Sequence, residues 1–212
     1  MAAAATAAAT FLASSVPPSP LAGSGGRPAY FFYPQLTGPH CAGQSGALRP
    51  TSHMAQPAGL FGMLVDALSL YYSFSGNRTV LALIPPLLDY MLHNGSTPNL
   101  THWAYPGVPF ASSTAGDLYF SGAADMDVYG SLGCGDGYGI IEPDKIGEFG
   151  LHLLTGYKLF GTTAYRSAVI HYADVLARNM RDTASLGEHE SPWPFRVNAQ
   201  TGVIREPYTS AV

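Results

Sequence analysis

Charge is what this 212-residue chain has least of. Lys, Arg, Asp and Glu together make up 11% of it, against about 25% in an ordinary soluble protein. The ten basic residues are scattered and the net charge is -4. No run of cations exists to follow a phosphate backbone, which argues against nucleic acid as a partner. No apolar stretch approaches the roughly 20 residues of a membrane span; the longest, Val80–Leu88, is broken by Pro85-Pro86. Cysteine is nearly absent. Cys41 and Cys134 have no metal-ligand spacing and leave open either one disulfide across a long loop or two thiols. Gly133–Gly139 lacks G-x-G-x-x-G spacing and a Walker lysine, and no G-x-S-x-G elbow occurs, so neither a nucleotide site nor a serine-hydrolase site is indicated. Asp125-Met-Asp127 falls short of an EF-hand loop. No cofactor and no metal are expected.

Acids and bases are also missing from the start of the chain. No acid precedes Asp66 and no base precedes Arg27, while residues 1–26 are rich in Ala, Ser, Thr, Pro and Gly. A secretory signal would show a basic first region and a stronger apolar centre, and an organellar transit peptide would carry Arg. Residues 1–28 are expected to be a disordered leader or targeting segment outside the packed fold. Three N-x-S/T sequons at Asn77, Asn94 and Asn99 favour the secretory pathway, with plastid or cytoplasm as the alternatives.

The few charges present are not evenly spread. Seven of the 14 acids fall between Asp117 and Glu148, offset only by Lys145. The same stretch is rich in Gly and Tyr. Carboxylates and aromatics on a glycine-rich loop suit a polar ligand such as a sugar, because aromatic faces cover the C–H faces of the ring while polar neighbours bond its hydroxyls.

On either side of that stretch the chain repeats. A shift of 85 residues superimposes Gly62 on Gly147, Leu68 on Leu153, Tyr72 on Tyr157, Gly76 on Gly161, Asp89 on Asp174, Asn94 on Asn179, Pro109 on Pro194 and Phe110 on Phe195. Self-similarity of this kind marks a repeated supersecondary unit, here two αα-hairpins at about 59–94 and 144–181. In the first, Leu64, Ala67, Leu68 and Tyr71 lie at helical spacing and Gly76 suits a helix end. Its second helix, about Arg78 to His93, should kink or restart at Pro85-Pro86. In the second hairpin, Phe149, His152, Leu153, Gly156, Tyr157 and Phe160 form the stripe, and Tyr165 to Met180 is the partner helix. Tyr30–Tyr33 reads as an extended aromatic segment. The fold class expected is all-α, with long loops gathered on one face as in an α/α toroid.

Three segments carry a resemblance. Arg49–Met63, Asp136–Glu148 (DGYGIIEPDKIGE) and Ser191–Val197 (SPWPFRV) with Thr201-Gly202 resemble plant and fungal proteins of the six-hairpin glycosidase-like superfamily, over about residues 29–212. The resemblance implies an (α/α)6 toroid and a saccharide as ligand. Such a ring needs more hairpins than the two seen, so the chain reads as an incomplete toroid, a fragment of a longer protein.

Glycoside hydrolysis uses two carboxyls, one general acid and one base or nucleophile. Asp136 is the first candidate, because its flanking glycines let the backbone approach a ligand closely. Glu142, Asp144 and Glu148 are candidates for the second, although Asp144 also suits a helix N-cap. Candidate sugar-binding residues are Trp103, Tyr138, Trp193, His53 and Arg196. A non-catalytic carbohydrate-binding protein is the alternative. A further one is a uronic-acid lyase or epimerase, for which Arg196 or Arg205 would hold the substrate carboxylate.

Overall fold

The structure, a computed structural model, describes residues 2–19, 22–31, 53–55, 57–114, 119–122, 137–182, 184, 186–187 and 190–206. Among these the protein is mostly helical, with five α-helices and two small antiparallel sheets. The helices are α1 (Ala2–Ser14), α2 (Pro57–Ser75), α3 (Ile84–Asn94), α4 (Pro143–Phe160) and α5 (Thr163–Arg178).

The pairing of helices follows from where glycine and proline fall. Gly76 closes α2 and Gly161 closes α4, both left-handed, with φ of 67° and 69°. A side chain would be strained at either position. The 85-residue correspondence thus holds at the helix ends. Beyond Gly76 a 3₁₀ turn, Arg78–Leu83, leads into α3, which starts one residue before Pro85-Pro86. Proline is tolerated in a first helical turn, where its missing N–H would have no partner, so the chain restarts there as anticipated. α4 and α5 are joined by Gly161-Thr162 and pack on each other; α4 also packs on α2 and α3.

One core joins these elements. Val65 and Leu68 of α2, Leu87, Leu88 and Met91 of α3, Ile146, Phe149 and Leu153 of α4, and Tyr165, Tyr172 and Val175 of α5 are all buried. The buried stripe of α2 is Ala58, Phe61, Gly62, Val65 and Leu68. The expected stripe was Leu64, Ala67, Leu68 and Tyr71, but Leu64 and Tyr71 are only half-buried and Ala67 is exposed. The apolar residues of α2 surround it, so spacing alone did not select the face.

The N-terminal expectations are also corrected. Residues 2–14, within the segment expected to be a disordered leader or targeting segment, form α1. Ala9 is buried and Tyr71 Oη donates to Thr6 Oγ1 at 3.2 Å. Ala29–Phe31 is a 3₁₀ turn rather than an extended segment. Phe31 enters the core edge-on to Tyr90, ring centres 5.2 Å apart, and Phe61, Tyr90 and Phe120 complete an aromatic cluster.

The small sheets frame the starts of the helices. β1 (His53–Ala55) pairs with β2 (Ser112–Thr114) just before α2. β3 (Ile140–Ile141), β4 (Arg196–Asn198) and β5 (Ile204–Glu206) form an antiparallel sheet with β4 in the centre. β3 runs directly into α4. A tight loop at Gln200–Val203 returns β4 to β5, with Asn198 Oδ1 accepting from the N–H groups of Gln200 and Thr201.

Candidate functional site

A cleft of about 360 Å³ opens where α4 begins. It is lined by Pro143, Asp144 and Gly147 of α4, Leu176 of α5, and Ser191, Trp193 and Pro194. Pro143 takes the first helical position and Asp144 lies in the first turn, where the free N–H groups of a helix favour negative charge. The expectation of Asp144 as N-cap is corrected: Glu142 holds the cap position.

The opposite wall is held by α5. Trp193 Nε1 donates to the Leu176 carbonyl at 2.9 Å, and its backbone N–H donates to Ser191 Oγ at 3.1 Å. Arg181, just past α5, donates from Nη2 to the Ser191 carbonyl at 2.7 Å and from its backbone N–H to the Pro192 carbonyl at 2.9 Å. These bonds settle the polar edge of the indole, so the ring contributes apolar surface to the cleft.

Lys145 links two of the candidate carboxylates. Its Nζ lies 2.6 Å from Glu148 Oε2 and 3.8 Å from Asp144 Oδ2. Those oxygens are therefore at most about 6.4 Å apart, the two legs laid end to end. That limit applies to the two oxygens facing Lys145 and leaves the separation of the carboxyl groups compatible with either a retaining or an inverting pair. Burial alone would lower the lysine's pKa. The hydrogen bond that the lysine donates to Glu148 and the charges of Glu148, Asp144 and Glu142 outweigh burial and raise the ammonium above its ordinary range.

Glu142 and Arg196 have a different place. The Glu142 side chain is fully buried, and Arg196 Nε donates to its Oε1 at 3.0 Å. Arg196 Nη1 also donates to Glu206 Oε2 at 3.3 Å, and its guanidinium lies 4.5 Å from the centre of the Phe195 ring. Burial pushes the Glu206 carboxyl up. The pair joins the start of α4 to β4, and Glu142 has no surface for a ligand to reach. Arg196 is likewise engaged, with part of its side chain left in solvent.

The other expected residues do not converge here. Tyr138 is exposed and lines a second groove of about 440 Å³ with Gly137, Ile140, Asn198, Thr201, Val203 and Arg205. Trp103 is half-buried against the core. Its loop is fastened to α5 by His171, whose Nε2 bonds the Pro106 carbonyl at 2.8 Å, and by Asn179, whose Nδ2 donates to the Ala104 carbonyl at 2.9 Å. Asp136, Asp125, Asp127, Cys41 and Cys134 lie outside the described residues, as does the side chain of His53. Ser191 and Lys145 were not anticipated as site residues. Lys145 carried a signal as the only base among seven acids. Ser191 stood two residues from Trp193 with nothing further to mark it.

Among the described residues there is no cluster of three or more His, Cys, Asp or Glu that could hold a metal ion. No helix among them is long and apolar enough to cross a membrane. No family model matches the chain, and no curated protein matches it.

Proposed function

We propose that this protein binds a saccharide in the cleft at the start of α4, as part of a carbohydrate-active protein of the six-hairpin glycosidase-like kind. The observation that carries the reading is the meeting of Asp144, Ser191 and Trp193 around one cavity of about 360 Å³. An indole face with a carboxylate and a hydroxyl beside it suits a pyranose, which offers an apolar face and a rim of hydroxyls. In this reading α2–α3 and α4–α5 are two hairpins of an α/α toroid, in agreement with the 85-residue correspondence and the matched Gly76 and Gly161.

Saccharide hydrolysis by a longer form of the protein is the catalytic version of the proposal. Asp144 and Glu148 then form the carboxyl pair, and Asp136 is the remaining candidate acid. A second, non-catalytic reading has a specific observation in its favour. Lys145 sits against both carboxylates, 2.6 Å from Glu148 Oε2 and 3.8 Å from Asp144 Oδ2, and so occupies them as ion-pair partners. For the lyase or epimerase reading Arg205 lines the second groove, while Arg196 is ion-paired with Glu142 and Glu206.

A glycan array combined with a hydrolysis screen tests the proposal. Binding with release of reducing ends supports hydrolysis, and binding without product supports the non-catalytic reading. Absence of both from the folded protein removes carbohydrate as the ligand.

A further inference from the structure

The three sequons, at Asn77, Asn94 and Asn99, differ sharply in their surroundings. A glycosylated asparagine must leave its Nδ2 in solvent, with room for a branched, hydrated chain that the folded protein does not displace. It must also present its hydroxyl partner two residues on. Sequence marks all three alike; the fold does not.

Asn77 lies in the exposed turn between Gly76 and the 3₁₀ turn. Its Oδ1 accepts from the backbone N–H of Thr79 at 2.9 Å. This is an Asx turn, which draws the amide and the residue two positions on toward each other. Thr79 is exposed too, and Gly76 beside it has open space where a Cβ would stand. Asn99 follows Pro98 at the start of the 99–107 loop, and Asn99, Leu100 and Thr101 are all exposed. The loop is rigid at its far end, where Thr97 Oγ1 donates to the Tyr105 carbonyl at 2.8 Å and accepts from the Val108 N–H at 3.0 Å.

Asn94 is different on every count. It is the last residue of α3, half-buried, and followed by the buried Gly95. It lines a cavity of about 240 Å³ with Arg27, Asp89, Tyr90 and His93. Its hydroxyl partner, Ser96, donates its proton to the Met91 carbonyl at 2.9 Å. A Cβ on Gly95 would stand 2.7 Å from Met91 Sδ and 3.1 Å from Phe120 Cδ2, so the backbone beside Asn94 is closed in and a glycan would have to displace packed groups.

We propose that Asn77 and Asn99 are N-glycosylation sites and that Asn94 is not. The modifying substrate is an oligosaccharide carried on a lipid diphosphate. Nδ2 of the asparagine forms a bond to the anomeric carbon of the first sugar. The C–O bond to the diphosphate breaks, the diphosphate leaves with the electron pair, and the amide nitrogen gives up one proton. The proposal is independent of the Trp193 cleft: these would be glycans attached to the protein rather than glycans it binds.

The test uses the full chain with its own N-terminus, expressed in eukaryotic cells, treated with peptide N-glycanase and mapped by mass spectrometry. Two mobility steps are expected to collapse on treatment, with Asn77 and Asn99 converted to Asp and Asn94 unchanged. N77Q and N99Q should each remove one step, and N94Q none. Because Asn77 also caps the 3₁₀ turn, T79A and T101A provide a second pair of variants that abolish the sequons without touching either asparagine. Each should remove the same step as its Asn→Gln counterpart. Glycan on Asn94, or its absence from either Asn77 or Asn99, overturns the proposal.

Discussion

Arg196 Nε donates to Glu142 Oε1 at 3.0 Å, across 54 residues of sequence, and so fixes the start of α4 against the central strand of the small sheet. The Glu142 side chain is fully buried while Arg196 keeps about a fifth of its own in solvent. The cleft begins at the residue after Glu142, Pro143. The pair therefore orders the cleft from behind without entering it.

Breaking that pair from the arginine side should be costly, because it leaves a carboxylate buried beside an empty space. Arg196→Ala is expected to destabilise the protein by about 3 kcal/mol, in the range found when one partner of a buried ion pair is removed. Arg196→Lys, which keeps the charge and loses the fork, should fall in between. Denaturant unfolding of the three proteins measures both.

Gly62 should be irreplaceable for a reason visible only in three dimensions. A Cβ there would stand 2.0 Å from Cδ2 of His152, the buried α4 residue whose Nδ1 lies 3.1 Å from Asp66 Oδ1. Gly62→Ala is expected to cost roughly 1–3 kcal/mol through overpacking. In an His152→Ala background the same change should cost much less, and a double-mutant cycle on thermal unfolding reads the difference.

Lys145 predicts an alkaline dependence. Its folded-state pKa is raised, chiefly because the hydrogen bond and charge of Glu148 outweigh its burial. A raised pKa means that the stabilisation is fully present below the ordinary lysine value and is lost as pH rises through the folded-state value above it. As pH rises above the ordinary lysine value of about 10.4 the wild type should lose this contribution, and Lys145→Met should show a flatter stability profile over the same range.

The parts of this fold legible in the sequence were those written locally. Gly76 and Gly161 marked helix ends because only glycine takes a left-handed turn without strain, and Pro85-Pro86 marked a helix start because proline lacks a donor. The partner helix expected from Tyr165 to Met180 stands as α5, Thr163–Arg178. What failed depended on partners far away. The face of α2 was chosen by the fit of Gly62 against His152 and the fate of Glu142 by an arginine 54 residues on, whereas the helix at 2–14 follows from its alanine run. The site was legible in its types more than in its members. Trp193 and Asp144 do meet, while Trp103 and Tyr138, chosen by the same criteria, do not join them.

The tryptophan itself should separate stacking from support. Trp193→Phe keeps an aromatic face and loses the bond to the Leu176 carbonyl, whereas Trp193→Ala loses both. Saccharide affinity is expected to fall several-fold in the first and at least about tenfold, near 1.4 kcal/mol, in the second.

Titration calorimetry of the folded protein with neutral and acidic oligosaccharides, run beside Trp193→Ala and Asp144→Asn, tests the cleft most directly. Saturable binding by the wild type is expected, weakened in both variants while their thermal unfolding stays cooperative. An oligosaccharide bound equally well by all three, or by none, would contradict the assignment of this cleft.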